Sequence, residues 1–363
     1  MFDFLDEVEG SLRKEIGEFN VVVMPDFFLD RFVSVEWRLE DFSLKMKNVF
    51  DRKGGSIDNV AQTEMRGGNA INTASALAAL GIRVTPIVCT TRLGFELIRF
   101  YLKSKNVDLS HVKIFRKASV TTAIELKAEH GKVNVMLRDL GSLKNFGPKD
   151  LDSEDFEAIE NADCICVFNW AGTRIFGTEL ANVVFKHAKT KGRGKTYCDT
   201  ADPTPNRRKI PELVKNVLES KHLDILSLNE NEAVCYAAEI EKGIKMSRKG
   251  LQMEELAKES AKILASNMHA RVDLHTTSFS ATFTKKNKPT IVSAYKVPVL
   301  RATGAGDAWN AGNIFGEALG LSDGARLALA NMVAAYYISD REGRHPTKRQ
   351  LIKFCQKIRR LTQ

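Results

Sequence analysis

From residue 150 onward the chain alternates short apolar runs with amphipathic stretches, and this pattern constrains the fold more than any other feature. Residues 163–168, 195–199 and 224–228 read as buried strands, set between helical stretches at 151–160, 176–190, 211–220 and 229–238. A loop near 243–249 leads to a helix over 252–266 and strands near 271–276, 279–284 and 289–294; helices over 305–319, 322–338 and 347–361 close the chain. Strands separated by helices run parallel and need both faces covered. The pattern predicts an α/β fold: a mostly parallel sheet flanked by helices on both faces.

The first 150 residues are less regular. An amphipathic helix is expected over 2–18, with Phe2, Leu5, Val8, Leu12 and Ile16 on one stripe, followed by a buried strand at 20–24. Gly67-Gly68-Asn69 precedes an Ala-rich helix that stops at Leu80-Gly81, then a strand at 83–89 and a helix at 94–104. Residues 31–66 and 112–138 read as exposed strands instead. We expect them to form one small sheet, a lid over the mouth of a main domain built from 1–30, 67–111 and 139–363.

The 363 residues carry a net charge of +9, from 54 Lys+Arg against 45 Asp+Glu, which suits an anionic substrate. The basic residues are scattered with no aromatic-interleaved stripe, so no nucleic-acid partner is expected. The six cysteines include no C-x-x-C pair and the seven histidines no metal-ligand spacing, which reads as reduced thiols and no thiolate metal site. Asp3, Asp6, Glu7 and Glu9 argue against a secretory signal, and no apolar stretch is long enough for a membrane span. A cytoplasmic protein with no membrane partner is the expectation.

Chemistry concentrates at Thr303–Asn310. Gly304, Ala305 and Gly306 open a helix, where unpaired N–H groups and the helix dipole favour an anion. A carboxylate there, Asp307, is suited to take the proton of a hydroxyl attacking phosphorus. The bland reading is a glycine-rich helix start with an acidic residue in its first turn. Gly67 and Gly68 allow a substrate close to the backbone, and the carboxamides of Asn69 and Asn72, three apart, can hold hydroxyls; alternatively Asn69 only caps its helix. Asn229 and Glu232 open another helix at the carboxyl end of a strand, the edge where α/β sheets bind ligands, but their spacing also fits a capping box.

Gly67-Gly68-Asn69-Ala-Ile-Asn72, Asn229-Glu230-Asn231-Glu232 and Thr303-Gly-Ala-Gly-Asp307, in this order, resemble the signatures of the ribokinase-like (PfkB) sugar kinase family. The resemblance runs from Asn20 to near the end. It implies phosphoryl transfer from ATP, or ADP, to a hydroxyl of a sugar or sugar derivative. Asp307 would be the general base and the 304–306 backbone the anion hole, beside Thr303. It further implies a sugar-binding Asp30, Mg2+ organised by Asn229 and Glu232, and lid strands that pair two subunits. A nucleoside acceptor, or a sensor that binds without catalysis, is the alternative.

Departures from the family pattern matter too. Arg301 and Ala302 stand where the family carries aspartate and threonine, so Arg301 is either a phosphate-binding cation or a solvated strand end. The nucleotide-site pattern T-x-G-x-x-G falls on His275–Ser280 without its glycines, leaving the hydroxyls of Thr277, Ser278 and Ser280 as donor contacts. Arg138, with Lys132 and Arg116 nearby, suggests an anionic acceptor, a sugar phosphate or sugar acid, or else is exposed lid charge. Asn169 and Trp170 are expected near the substrate, Asp199 and Asp202 near phosphate or metal, and Asn331 near the adenine.

Overall fold

The Val-rich run Asn20–Met24 and the Cys-Ile-Cys-Val-Phe run at 164–168 become neighbouring central strands, because both faces of each are covered. The computed structural model describes residues 2–129, 131–241 and 252–362. The loop expected at 243–249 lies outside them. In chain order the strands are β1 (Asn20–Met24), β2 (Phe28–Arg38), β3 (Ala61–Gly67), β4 (Arg83–Pro86), β5 (Cys89–Thr90), β6 (Lys113–Ile114) and β7 (Ser119–Ala128). They continue as β8 (Gly131–Asp139), β9 (Cys164–Phe168), β10 (Lys195–Asp199), β11 (Ile225–Leu228), β12 (Arg271–His275), β13 (Phe279–Phe283) and β14 (Thr290–Ser293).

Eight of them form one sheet in the order β14-β13-β12-β11-β10-β9-β1-β4. Every pairing from β4 through β12 is parallel, and only β13 and β14 join antiparallel. Alternation along β9 divides the core: Ile165 and Val167 pack on one face with Phe146, Phe185 and Leu264, while Cys164, Cys166 and Phe168 pack on the other with Leu77, Phe315 and Leu329. Five cysteines are buried as free thiols and Cys235 is half-buried, in line with their reading as small apolar side chains.

A second sheet, β3-β2-β7-β8, comes from the two irregular segments. β2 and β7 pair in parallel and the outer strands antiparallel. The structure corrects three expectations. Residues 31–66 are not all strand and turn; Leu39–Asp51 is a helix with no buried residue, and Phe50 is 81% exposed. The helix expected over 2–18 ends at Leu12, with Leu5, Val8 and Leu12 buried. The single helix expected at 211–220 is a run of 3-10 (Thr204–Lys209), α (Ile210–Leu213) and π (Val214–Leu218) turns. Among the described residues no helix is long and apolar enough to cross a membrane.

One buried ionic network anchors the helix that carries Asp307. Arg326, 1% exposed, donates to Asp273 Oδ2 at 3.0 Å and to Thr282 Oγ1 at 2.7 Å, and Asn313 Nδ2 reaches the same carboxylate at 2.9 Å. Burial alone would raise the Asp273 carboxyl, but Arg271 and Arg326 hold it well below the usual range. β12 is thereby tied to the helices Ala305–Ala318 and Asp323–Ile338. Such a paired, hydrogen-bonded charge fixes geometry more than it adds stability.

Candidate active site

The Ala305–Ala318 helix begins at Gly304, whose φ of 87° is left-handed, a conformation glycine takes without strain. The N–H of Ala305 closes a turn onto Ala302 O at 3.2 Å. The anion hole expected from 304–306 therefore shifts: the N–H groups of Gly306 and Asp307 are the first-turn donors left over. Tyr337 braces the turn by donating its hydroxyl to Thr303 O at 3.2 Å.

Asp307 is 6% exposed and gripped from the far half of the chain. Asn69 Nδ2 donates to its Oδ1 at 2.8 Å and Asn72 Nδ2 to its Oδ2 at 2.9 Å. Burial pushes the Asp307 carboxyl up to about 7, with Asp199 and Asp26 adding to the rise and the two carboxamides opposing it. A base with that affinity is poised to exchange a proton at neutral pH. The alternative reading of Asn69 as a cap does not hold, because Gly68 occupies the N-cap and the carboxamide points at Asp307.

What caps that helix is a residue the sequence reading passed over. Asp26 is fully buried and accepts the N–H groups of Asn69 and Ala70, each at 2.9 Å. It also accepts Asn169 Nδ2 at 2.7 Å, which fixes the Asn169 side chain at the site. Burial raises the Asp26 carboxyl despite these three donors.

A cavity of about 240 Å³ opens in front of Asp307. Asn69, Asn72, Asn169, Thr303, Gly304 and Gly306 come to it from the main body, and Asp30, Thr121 and Arg138 from the second sheet. Asp30 sits in the wall with its carboxyl raised to about 6 by burial, while a hydrogen bond from Thr121 and the charge of Arg138 oppose the rise. Gly67 makes room for it: an added Cβ would lie 2.1 Å from Asp30 Oδ2. Gly68 (φ 92°) lets the chain pass Asp26 O and Phe27 Cα, each 2.9 Å from where its Cβ would stand. Arg138 lies 5.1 Å over the Phe28 ring. Arg116 is exposed, and the side chain of Lys132 lies outside the described residues.

Other expected contacts are not brought to this cavity. Trp170 is buried and donates to Thr178 Oγ1 at 3.0 Å. Asn331 accepts Trp309 Nε1 at 2.9 Å and donates to Val292 O and Ser293 O, the pattern of a core-pinning side chain. Ser280 is fully buried in β13, and Thr277 is exposed with its N–H directed at Glu230 Oε1. Arg301 stacks 5.5 Å from the centre of the Tyr337 ring and fills the space beside Gly343, so it is not a solvated strand end.

Asn229 and Glu232 do form the capping box: Asn229 N donates to Glu232 Oε2 and Glu232 N to Asn229 Oδ1, both at 3.0 Å. That does not exhaust Glu232. Burial, together with the charges of Asp199, Asp202 and Glu230, holds its carboxyl well above the usual range. Among the described residues no three acidic, histidine or cysteine side chains converge as an all-protein metal cage would require. A magnesium ion that keeps most of its water needs no such cage, and oxygen donors crowded by like charge fit it. Asp199 itself is held by Asn310 Nδ2 at 2.7 Å and Ala201 N at 3.0 Å.

Comparison with known proteins identifies the fold and the family. The chain is 24% identical over 258 residues to the 5-dehydro-2-deoxygluconokinase of Geobacillus kaustophilus, an alignment covering 70% of this chain and 73% of that protein. Among solved structures it superposes on Arabidopsis thaliana ribokinase complexed with ribose and ATP with a TM-score of 0.71, at 19% identity, covering 94% of this chain and 99% of that one. Adenosine kinase from Sinorhizobium meliloti gives a TM-score of 0.68 at 17% identity, covering 95% and 100%. At such identities the likeness establishes the ribokinase fold. The family model for pfkB family carbohydrate kinases matches residues 40–349, so the chain belongs to that family and is a sugar kinase, a phosphotransferase acting on an alcohol group.

Proposed function

We propose that the protein transfers a phosphoryl group from a nucleoside triphosphate or diphosphate to a hydroxyl of an anionic sugar derivative, a sugar acid or a sugar phosphate. The observation that carries this reading is Asp307: a buried carboxylate raised to about 7, facing a cavity whose opposite wall carries Asp30 and Arg138. The acceptor hydroxyl gives its proton to Asp307 as its oxygen bonds to phosphorus, while the bridging P–O bond of the donor breaks and the leaving phosphate keeps the electron pair. Charge that develops on the transferred group meets the N–H groups of Gly306 and Asp307 at the helix N-terminus. Asn69 and Asn72 hold the base in line, and Asp30 accepts acceptor hydroxyls. Glu232 and Asn229 would hold magnesium, which when bound neutralises the charge of the donor phosphates. The second sheet acts as a lid that excludes water from the base.

Support for an anionic acceptor comes from Arg138 and its neighbour Arg174. Arg138 lines the cavity, where its charge acts on Asp30 and Asp26. Burial and the charge of Arg138 lower the Arg174 pKa, so an anion here would meet two cations. The relative from Geobacillus kaustophilus, by its name a 5-dehydro-2-deoxygluconokinase, points the same way. The test is a steady-state screen with ATP and with ADP against sugars, sugar acids, sugar phosphates and nucleosides. An acid or phosphate should give the highest kcat/KM, and Arg138→Gln should raise KM for that acceptor alone. A nucleoside that outperforms every sugar derivative would overturn the proposal in favour of a nucleoside kinase.

A further inference from the structure

We infer that His275 contacts the transferring phosphoryl group of the donor, replacing the glycine-lined contacts that the 275–280 segment lacks. The inference rests on the phosphoryl-transfer reading above. Two hydroxyls of this segment are engaged within the protein: Thr276 Oγ1 and N both bond to Phe279 O at 2.9 Å, and Ser278 Oγ donates to Glu254 Oε1 at 2.6 Å. Ser280 Oγ has no hydrogen-bond partner, but its residue is fully buried within β13. His275, at the carboxyl end of β12, is the one whose side chain reaches the catalytic turn at Gly306: its Cε1 lies 3.5 Å from where a Cβ on that glycine would stand.

The ring is held there by an aromatic contact rather than by a hydrogen bond. It packs against Trp309, centroids 4.8 Å apart and planes tilted by 32°, and Asn331 anchors that indole. Nε2 is buried and has no hydrogen-bond partner. The nearest acidic oxygen, Asp199 Oδ2, is 4.0 Å away and already takes a hydrogen bond from Asn310. An ordinary buried His–Asp pair closes to hydrogen-bond distance, because an unmade bond in the interior is costly. Here the Cε1–Nε2 edge spans the gap between Asp199 and Gly306, beside the N–H groups assigned to the transferred group. An Nε2–H in that gap donates to a non-bridging phosphoryl oxygen. Glu230 and Asp273 also act on the ring electrostatically, but neither reaches Nε2.

The test compares His275→Leu, which keeps a side chain against Trp309 but no donor, with His275→Gln, which retains an N–H. Binding of ATP and of ADP with magnesium is measured by calorimetry, and kcat and both KM values by initial rates. Leucine should lower kcat/KM for the nucleotide roughly 10- to 100-fold while the acceptor KM stays put, and glutamine should recover most of the loss. If the leucine variant binds nucleotide and turns over like the wild type, the assignment is wrong. It is equally wrong if both variants lose alike with the acceptor KM rising in step, since that marks a packing role. If the wild-type protein binds neither nucleotide, the phosphoryl-transfer reading fails first, and the inference with it.

Discussion

Replacing Asn72 by leucine tests the electrostatics of the site, because the two side chains are similar in size and only the donor is removed. Asn72 Nδ2 donates to Asp307 Oδ2 at 2.9 Å inside a cavity wall. A hydrogen bond to a carboxylate favours its charged form, so losing it must favour the proton and raise the Asp307 pKa. Hydrogen bonds to charged groups contribute about 1.5–3 kcal/mol, and about 1.4 kcal/mol moves a pKa by one, so the rise should be about one to two. Starting from about 7, the acid limb of kcat moves to between about 8 and 9. At pH 7 the ionised fraction drops from about one half to between about one tenth and one hundredth, and kcat falls with it. Turnover should recover as pH approaches about 10, beyond the displaced limb. The assay is kcat against pH with both substrates saturating, which removes any direct effect of Asn72 on acceptor binding. An acid limb that stays at its wild-type position, or a loss of equal size at every pH, would refute the reasoning.

Three further outcomes follow from the same contacts. Asp307→Asn should cut kcat by roughly 10²- to 10⁴-fold. It should also stabilise the fold at pH 8. The folded pKa of Asp307 lies above its unfolded value of 3.8, so its stability contribution is full below that value and is lost as pH rises through about 7. The gap in melting temperature between variant and wild type should therefore close by about pH 4, and a gap independent of pH would contradict the assignment. Arg326→Met should cost about 3–5 kcal/mol in urea denaturation, because it leaves the buried Asp273 carboxylate without one of its two cations; a change under about 1 kcal/mol would mean Arg271 suffices. Gly67→Ala drives a Cβ into Asp30 and should raise the acceptor KM about 10-fold or more with kcat little changed; equal KM values would remove Asp30 from the acceptor site.

The parallel sheet was legible because its strands are short apolar runs whose partners are supplied by neighbouring α/β units. Asp307, Asn69 and Asn72 were legible because small residues at helix starts leave few chemical uses for the polar groups beside them. The helix Leu39–Asp51 was not, since Phe42, Leu44 and Met46 alternate like a strand and no residue of the helix is buried to reveal a face. Asp26 was missed for a different reason. Its role is to accept N–H groups of residues 43 and 44 positions away and the carboxamide of Asn169, and no local pattern encodes such a meeting. At Asn229–Glu232 the spacing encodes the capping box, but nothing in it reveals that Glu232 is buried among the charges of Asp199, Asp202 and Glu230, because Asp199 and Asp202 come from elsewhere in the fold.

The grip of Asn69 and Asn72 on Asp307 spans 238 and 235 positions of chain. That separation sets an order of assembly. During synthesis the two carboxamides emerge early and wait for more than half the protein before their carboxylate arrives. On the proposed mechanism, a chain truncated or cleaved before residue 307 therefore lacks the general base, and a C-terminal piece holds a base that nothing orients. Activity is then a report that both ends have folded onto each other, so a sugar kinase assay on nicked or refolding protein measures the docking of the Asn69–Ala79 helix against the Ala305–Ala318 helix.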